Sequence, residues 1–212
     1  WALLMSVSRK IVKSDQYVRE GQFDGWAPML HLGGDIYGKT LGVIGMGRIG
    51  TSVARRGALG FNMDVLYTAR TSKTEAEQEF GAKKVDLEEL LTKSDYISIN
   101  CPLTEETRYM IGVEELAKMK DTAYLINTAR GPVIDEKALV KALEEGQIAG
   151  AGLDVYENEP ELTPGLDKLD NVVMAAHIGS ATLETRTRMS EMNAEDIIAV
   201  LEGKNPINIV NG

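Results

Sequence analysis

The chain has 212 residues, 43% of them hydrophobic, with 23 basic against 32 acidic side chains, a formal net charge of -9 and a single cysteine. That apolar content suits one large α/β domain, or one domain with appendages, and excludes a disordered chain. The acidic balance argues against a nucleic-acid or polybasic membrane partner, and one cysteine excludes an internal disulfide framework, so work on a small molecule in a reducing, cytoplasmic setting is expected.

The chain opens on Trp1 inside a helical pattern, which leads to the expectation that an N-terminal portion is missing. Leu3, Leu4, Val7, Ile11 and Val12 recur at helical spacing between Arg9, Lys10, Lys13 and Asp15, predicting one amphipathic helix from residue 1 to about residue 18. WALLMSV is interrupted too soon by Arg9 and Lys10 to be a signal sequence, and no apolar run reaches the roughly 18 residues of a membrane span. The aperiodic stretch EGQFDGWAPMLHLGGDIYGK reads as an irregular connection, with a boundary near Gly38 and His31 at a surface or interface. Strands are then predicted at residues 41–45, 64–67, 96–100, 123–127, 148–154 and 172–175, alternating with helices. Asp86 and Glu89 pattern a capping box, Asp135 caps EKALVKALEEG, and Gly146 stops it. A last helix is predicted over about 181–201. Val- and Ile-rich strands alternating with helices indicate an α/β fold with a doubly wound parallel sheet of the Rossmann type.

Gly45-Met46-Gly47-Arg48-Ile49-Gly50 follows the first predicted strand and opens a helix. Gly45 allows the tight turn, Gly47 lets backbone approach a pyrophosphate, and Gly50 lets helix and strand pack closely. Phosphates would then sit on free amides at a helix N-terminus. About 20 residues on, a carboxylate for the ribose 2′-hydroxyl is expected of an NAD site. Asp64 comes too early, and Ala69 stands at the strand tip, followed by Arg70, Thr71, Ser72 and Lys73. Cations and hydroxyls there suit a 2′-phosphate, so NADP(H) is favoured, with NAD(H) over a merely solvated turn as the alternative.

Three further strand exits carry Arg130 in INTARG, Glu159 in GLDVYENEP and His177 in AAHIGS. Arginine binds a carboxylate through two parallel hydrogen bonds, histidine exchanges protons near neutral pH, and a glutamate beside it favours the charged imidazole. That set suits reduction of a 2-keto acid. Taken singly, each also reads as an ordinary surface or loop residue; three on consecutive exits of one sheet edge favour catalysis. Cys101 reads as a small packed residue. Thr-Ala-Arg occurs twice, at residues 68–70 and 128–130, with no wider repeat around it.

LGVIGMGRIG, NCPLTEETRYMIG, LINTARGPVIDEKALVKALEEGQIAGAGLDVYENEP, NVVMAAHIGSAT and NPINIVNG together resemble the D-isomer-specific 2-hydroxyacid dehydrogenases, and within them the glyoxylate and hydroxypyruvate reductases. The resemblance implies that Arg130, Glu159 and His177 are the catalytic residues and that no metal takes part. It implies pyrophosphate contacts at Arg48 and Ile49, a carboxamide contact at Asp154, and cofactor-lining positions at Pro102, Thr104, Thr107, Thr128, Ala129 and Gly179. Tips resembling Arg70, Thr71 and Lys73 accompany NADP(H) use in that family. The implied reaction passes a hydride from nicotinamide C4 to the keto carbon while His177 protonates the oxygen, giving a D-2-hydroxy acid, and it should weaken as pH rises and His177 loses its proton. Residues 1–38 would be an interdomain helix and dimerisation segment, 39–180 the dinucleotide-binding domain, and 181–212 a helix and tail directed to a substrate domain missing from this chain. A homodimer is implied. The family also contains corepressor-like proteins, so the alternative is a cofactor-binding fragment or a nucleotide-sensing, corepressor-like binding module without turnover of its own.

Overall fold

The computed structural model describes residues 1–209, so the last three residues of the predicted 181–212 segment lie outside the described residues. It divides into two compact units, Trp1–Ala176 and His177–Gly212. The first is built on seven strands: β1 (Thr40–Ile44), β2 (Asp64–Thr68), β3 (Lys83–Lys84), β4 (Tyr96–Ile99), β5 (Tyr124–Asn127), β6 (Gly150–Leu153) and β7 (Val172–Met174). Their order is β3-β2-β1-β4-β5-β6-β7, and every pairing is parallel. β4, β5 and β6 are buried along their whole length, as strands covered by helices on both faces must be. The chain builds outward from β1 to β3, then restarts on the other side of β1 with β4. That reversal opens a crevice at the carboxyl ends of β1 and β4.

Helices α1 (Ala2–Ser8), α2 (Ile11–Arg19), α3 (Arg48–Phe61), α4 (Thr74–Phe80), α5 (Leu87–Lys93), α6 (Val113–Lys118) and α7 (Glu136–Glu144) belong to the same unit. One core cluster includes Leu90, Leu91, Leu116, Leu139 and Leu143 from α5, α6 and α7. The other includes Leu4, Val7, Ala54 and Ala76 from α1, α3 and α4. Two predicted caps are present: Asp86 accepts from the Glu89 N–H at 2.7 Å, and Asp135 from the Ala138 N–H at 3.1 Å. Glu89 does not complete the predicted capping box; its carboxylate pairs with Lys93 one turn on, at 2.7 Å. Gly146 follows α7 with φ 66°, as a helix stop requires.

The single helix expected up to residue 18 is corrected to two, α1 and α2. The Ser8 carbonyl accepts from the Gly34 N–H at 2.9 Å and Lys10 is left-handed at φ 52°, so the irregular connection interrupts the helical ladder. Strand β3 was not expected, because two exposed lysines at a sheet edge give no apolar pattern to read.

The second unit contains α8 (Leu183–Leu201), capped by the Thr182 hydroxyl, which accepts from the Thr185 N–H at 3.1 Å. Within the unit, Asp196 accepts from the Ile207 N–H at 2.8 Å and from the Asn208 side chain at 2.9 Å. Among the described residues no helix is long and apolar enough to cross a membrane.

Candidate active site

The three glycines of the β1 exit are small for three different reasons. Gly45 has φ 93°, and a Cβ there would lie 2.6 Å from the Cys101 nitrogen. At Gly50 a Cβ would come within 2.0 Å of the Gly45 carbonyl oxygen, so its absence lets α3 start against the turn. Gly47 heads α3, yet a Cβ there would meet nothing within 4 Å. Protein therefore fills the space at two of the positions and leaves it open at the third, where backbone could face a pyrophosphate. A groove of about 650 Å³ lies beside this turn, lined by Gly47, Arg48, Ile49, Ser52, Arg56 and Asn100 among others. Arg48 and Ile49 are exposed along it.

At the β2 exit Ala69 is half-buried, and Arg70, Thr71 and Ser72 are exposed. Glu106, on the loop after β4, is held below the usual carboxylate range by the Thr104 hydroxyl first, then by its own backbone N–H, with a smaller contribution from the charge of Arg70. This loop is tied by Thr107, whose hydroxyl donates to the Pro102 carbonyl at 2.7 Å and accepts from the Thr104 N–H at 2.7 Å. Pro102, Thr104 and Thr107 are thus held together. Cys101 beside them is buried, and burial pushes its thiol up.

The β5 exit is clamped by the buried end residue Asn127. Its side chain accepts from the Ala129 N–H at 3.0 Å and donates to the Arg130 carbonyl at 2.9 Å, which fixes the turn carrying Thr128, Ala129 and Arg130. The Arg130 guanidinium is exposed and donates to the Ala129 carbonyl at 2.6 Å. Gly131 then packs directly on the β6 exit, where a Cβ would lie 1.9 Å from the Tyr156 carbonyl carbon. At that exit Asp154 is buried, with its N–H donating to the Asn127 carbonyl at 3.0 Å. Glu159 accepts from the Tyr156 N–H at 3.0 Å.

Glu136 fastens the same loop from below. It is 2% exposed, accepts from the Glu157 N–H and the Thr163 hydroxyl at 2.7 Å each, and its own N–H donates to the Glu157 carboxylate at 3.3 Å. Burial first, then the charges of Glu157 and Glu159, push its carboxyl up against the hydrogen bonds it accepts. The segment bearing Arg130 and the loop bearing Glu159 are in this way one braced piece. The Tyr156 hydroxyl extends the brace to the Ala175 carbonyl at 2.7 Å. His177, with φ 52°, and Gly179 belong to the second unit. Among the described residues no group of three or more His, Cys, Asp or Glu side chains could hold a metal ion.

Asn127, Gly131, Glu136 and Tyr156 escaped the sequence reading. Asn127 leaves one trace, a polar residue closing the apolar run YLIN. Glu136 reads as a solvated first-turn acid of α7, and only the folded chain buries it.

Residues 1–179 match the family described as D-isomer specific 2-hydroxyacid dehydrogenase, NAD binding domain. A glyoxylate reductase of Korarchaeum cryptofilum is 55% identical over 214 residues, covering 100% of this chain and 64% of that protein. A Thermus thermophilus protein of known structure superposes with a TM-score of 0.92 at 48% identity, over 99% of this chain and 66% of its own. A glyoxylate reductase from Paecilomyes thermophila does so with a TM-score of 0.89 at 42% identity, over 98% of this chain and 62% of its own. The chain therefore spans less than two thirds of the length of each.

Proposed function

The chain belongs to the D-isomer specific 2-hydroxyacid dehydrogenase family, and from that premise we propose that it serves an oxidoreductase reducing small 2-keto acids, such as glyoxylate or hydroxypyruvate, to D-2-hydroxy acids. The observation that carries this reading is the build of one sheet edge. An open space faces Gly47, and two strands over, Gly131 beside Arg130 packs on Tyr156, whose N–H donates to Glu159.

A bound nicotinamide coenzyme supplies the hydride that the keto carbon gains. Arg130 holds the substrate carboxylate through paired hydrogen bonds and polarises the carbonyl. His177 gives a proton to the carbonyl oxygen, with Glu159 as the third catalytic side chain. Water is the eventual source of the returned proton. NADP(H) is the preferred coenzyme, supported by Arg70, Thr71 and Lys73 at a strand tip without a carboxylate. Gly45, Gly47, Arg48, Ile49 and Gly50 take the pyrophosphate; Pro102, Thr104, Thr107, Thr128, Ala129, Asp154 and Gly179 line the rest. Phe23, Trp26 and Met29 expose apolar surface on the segment before β1, Trp26 to 85%, which supports association with a second copy. The free, buried Cys101 suits a cytoplasmic location.

Steady-state reduction of a panel of 2-keto acids by the protein in its full natural length, with NADPH and with NADH, tests the reading. The expected result is turnover of glyoxylate or hydroxypyruvate with higher kcat/KM for NADPH. Absence of turnover with every acid and both coenzymes would overturn it.

A further inference from the structure

The turn after β2 offers Arg70 from an exposed side chain, and what shapes the turn lies underneath. Tyr67, the penultimate residue of β2, is fully buried in the cluster that contains Ala76 and Ala82, with Ala69 and Phe80 packed against it. Its hydroxyl reaches the rim of that core. There it accepts from the Lys73 N–H at 2.7 Å and donates to Glu77 at 2.5 Å. At the other end of the turn, the Thr68 carbonyl accepts from the Gly45 N–H at 3.0 Å. Residues 69–72 span these two anchors, with a longer contact of 3.5 Å from Lys84 Nζ to the Arg70 carbonyl. Burial first and the Glu77 carboxylate second hold the phenol above its usual range, so it stays a donor.

We propose that Tyr67 is a positioning residue that sets coenzyme specificity, its hydroxyl fixing the 70–73 turn in the shape that receives a ribose 2′-phosphate. This inference rests on the NADP(H) reading above. A turn ordered in advance loses little freedom on binding, whereas a loosened one must be ordered by the ligand at the expense of affinity. The loss falls on the group the turn touches. NADH lacks that group, so the effect of the hydroxyl should be selective.

Titration of this chain with NADPH and with NADH at one ionic strength, followed by coenzyme fluorescence, tests the proposal in Tyr67→Phe and Glu77→Ala. Tyr67→Phe keeps the ring in the core and should weaken NADPH binding about three- to tenfold, the scale of lost hydrogen bonds. NADH binding should change less than about twofold. Glu77→Ala, outside the core, should act in the same direction more weakly and preserves the test if Tyr67→Phe misfolds. A wild-type chain without NADPH preference overturns the coenzyme reading and this inference together. A wild-type preference that survives unchanged in both variants, or losses equal for both coenzymes, overturns the inference alone.

Discussion

The tripeptide Thr-Ala-Arg stands at two strand exits of one sheet edge and is held there by unlike means. At residues 128–130 the Asn127 side chain bonds to the backbone of both Ala129 and Arg130, Gly131 seals the turn against Tyr156, and buried Glu136 fastens the facing loop. At residues 68–70 a backbone bond from Gly45 and a phenol beneath Lys73 do the holding, and of the three side chains only Arg70 is exposed. Three identical residues are thus held by different neighbours. A braced arginine suits a reacting acid that must be placed to within fractions of an ångström. A cation on an exposed turn suits recognition of a phosphate by charge and paired donors.

The largest effect should come from closing the space beside the braced copy. Gly131→Ala puts a methyl group 1.9 Å from backbone that cannot swing aside. We expect a loss of about 3 kcal/mol or more by denaturant unfolding, at the upper end for overpacking. An unchanged midpoint would mean that Gly131 does not seal this turn. Next comes Glu136→Ala, which strands the Glu157 N–H and Thr163 hydroxyl and should cost about 1–3 kcal/mol. Its pH dependence has a definite sign. The folded carboxyl sits above its unfolded value, so its contribution is full in acid and is lost as pH rises through the folded pKa. Glu136→Gln should therefore gain stability relative to wild type between acid and neutral pH, as measured by unfolding at both; a constant difference would show that Glu136 does not titrate differently on folding. The smallest effect on the fold should be at Gly47→Ala, where the new methyl group meets open space. Loss of a good N-cap costs about 1 kcal/mol or less. Affinity for both coenzymes should nevertheless fall about tenfold or more, because the methyl group would occupy the proposed approach to the pyrophosphate. Unchanged coenzyme titrations would remove the phosphate from this turn.

Sequence order and local chemistry made much of this legible. The glycine fingerprint, the six main strands and the caps at Asp86 and Asp135 each depend on residues within one or two turns of one another. The break between α1 and α2 does not. It follows from Gly34 taking the Ser8 carbonyl from 26 positions away, which no periodicity records. β3 escaped for want of apolar residues. Glu136 and Tyr67 carry polar groups whose partners sit on other segments, so only tertiary packing gave each a bonding role. Candidate functional side chains at strand exits were legible as chemistry; the groups that hold those exits rigid were not.

The roles proposed for the two arginines can be tested in one crossed measurement. It is kcat/KM for glyoxylate with NADPH and with NADH, in Arg70→Ala and Arg130→Ala variants of the protein in its full natural length. Arg130→Ala should lose about 100-fold or more with either coenzyme, the scale of removing a group that stabilises the transition state. Arg70→Ala should lose activity with NADPH far more than with NADH. Near-wild-type reduction by Arg130→Ala, or equal losses with both coenzymes in Arg70→Ala, would contradict the division of labour between the two turns.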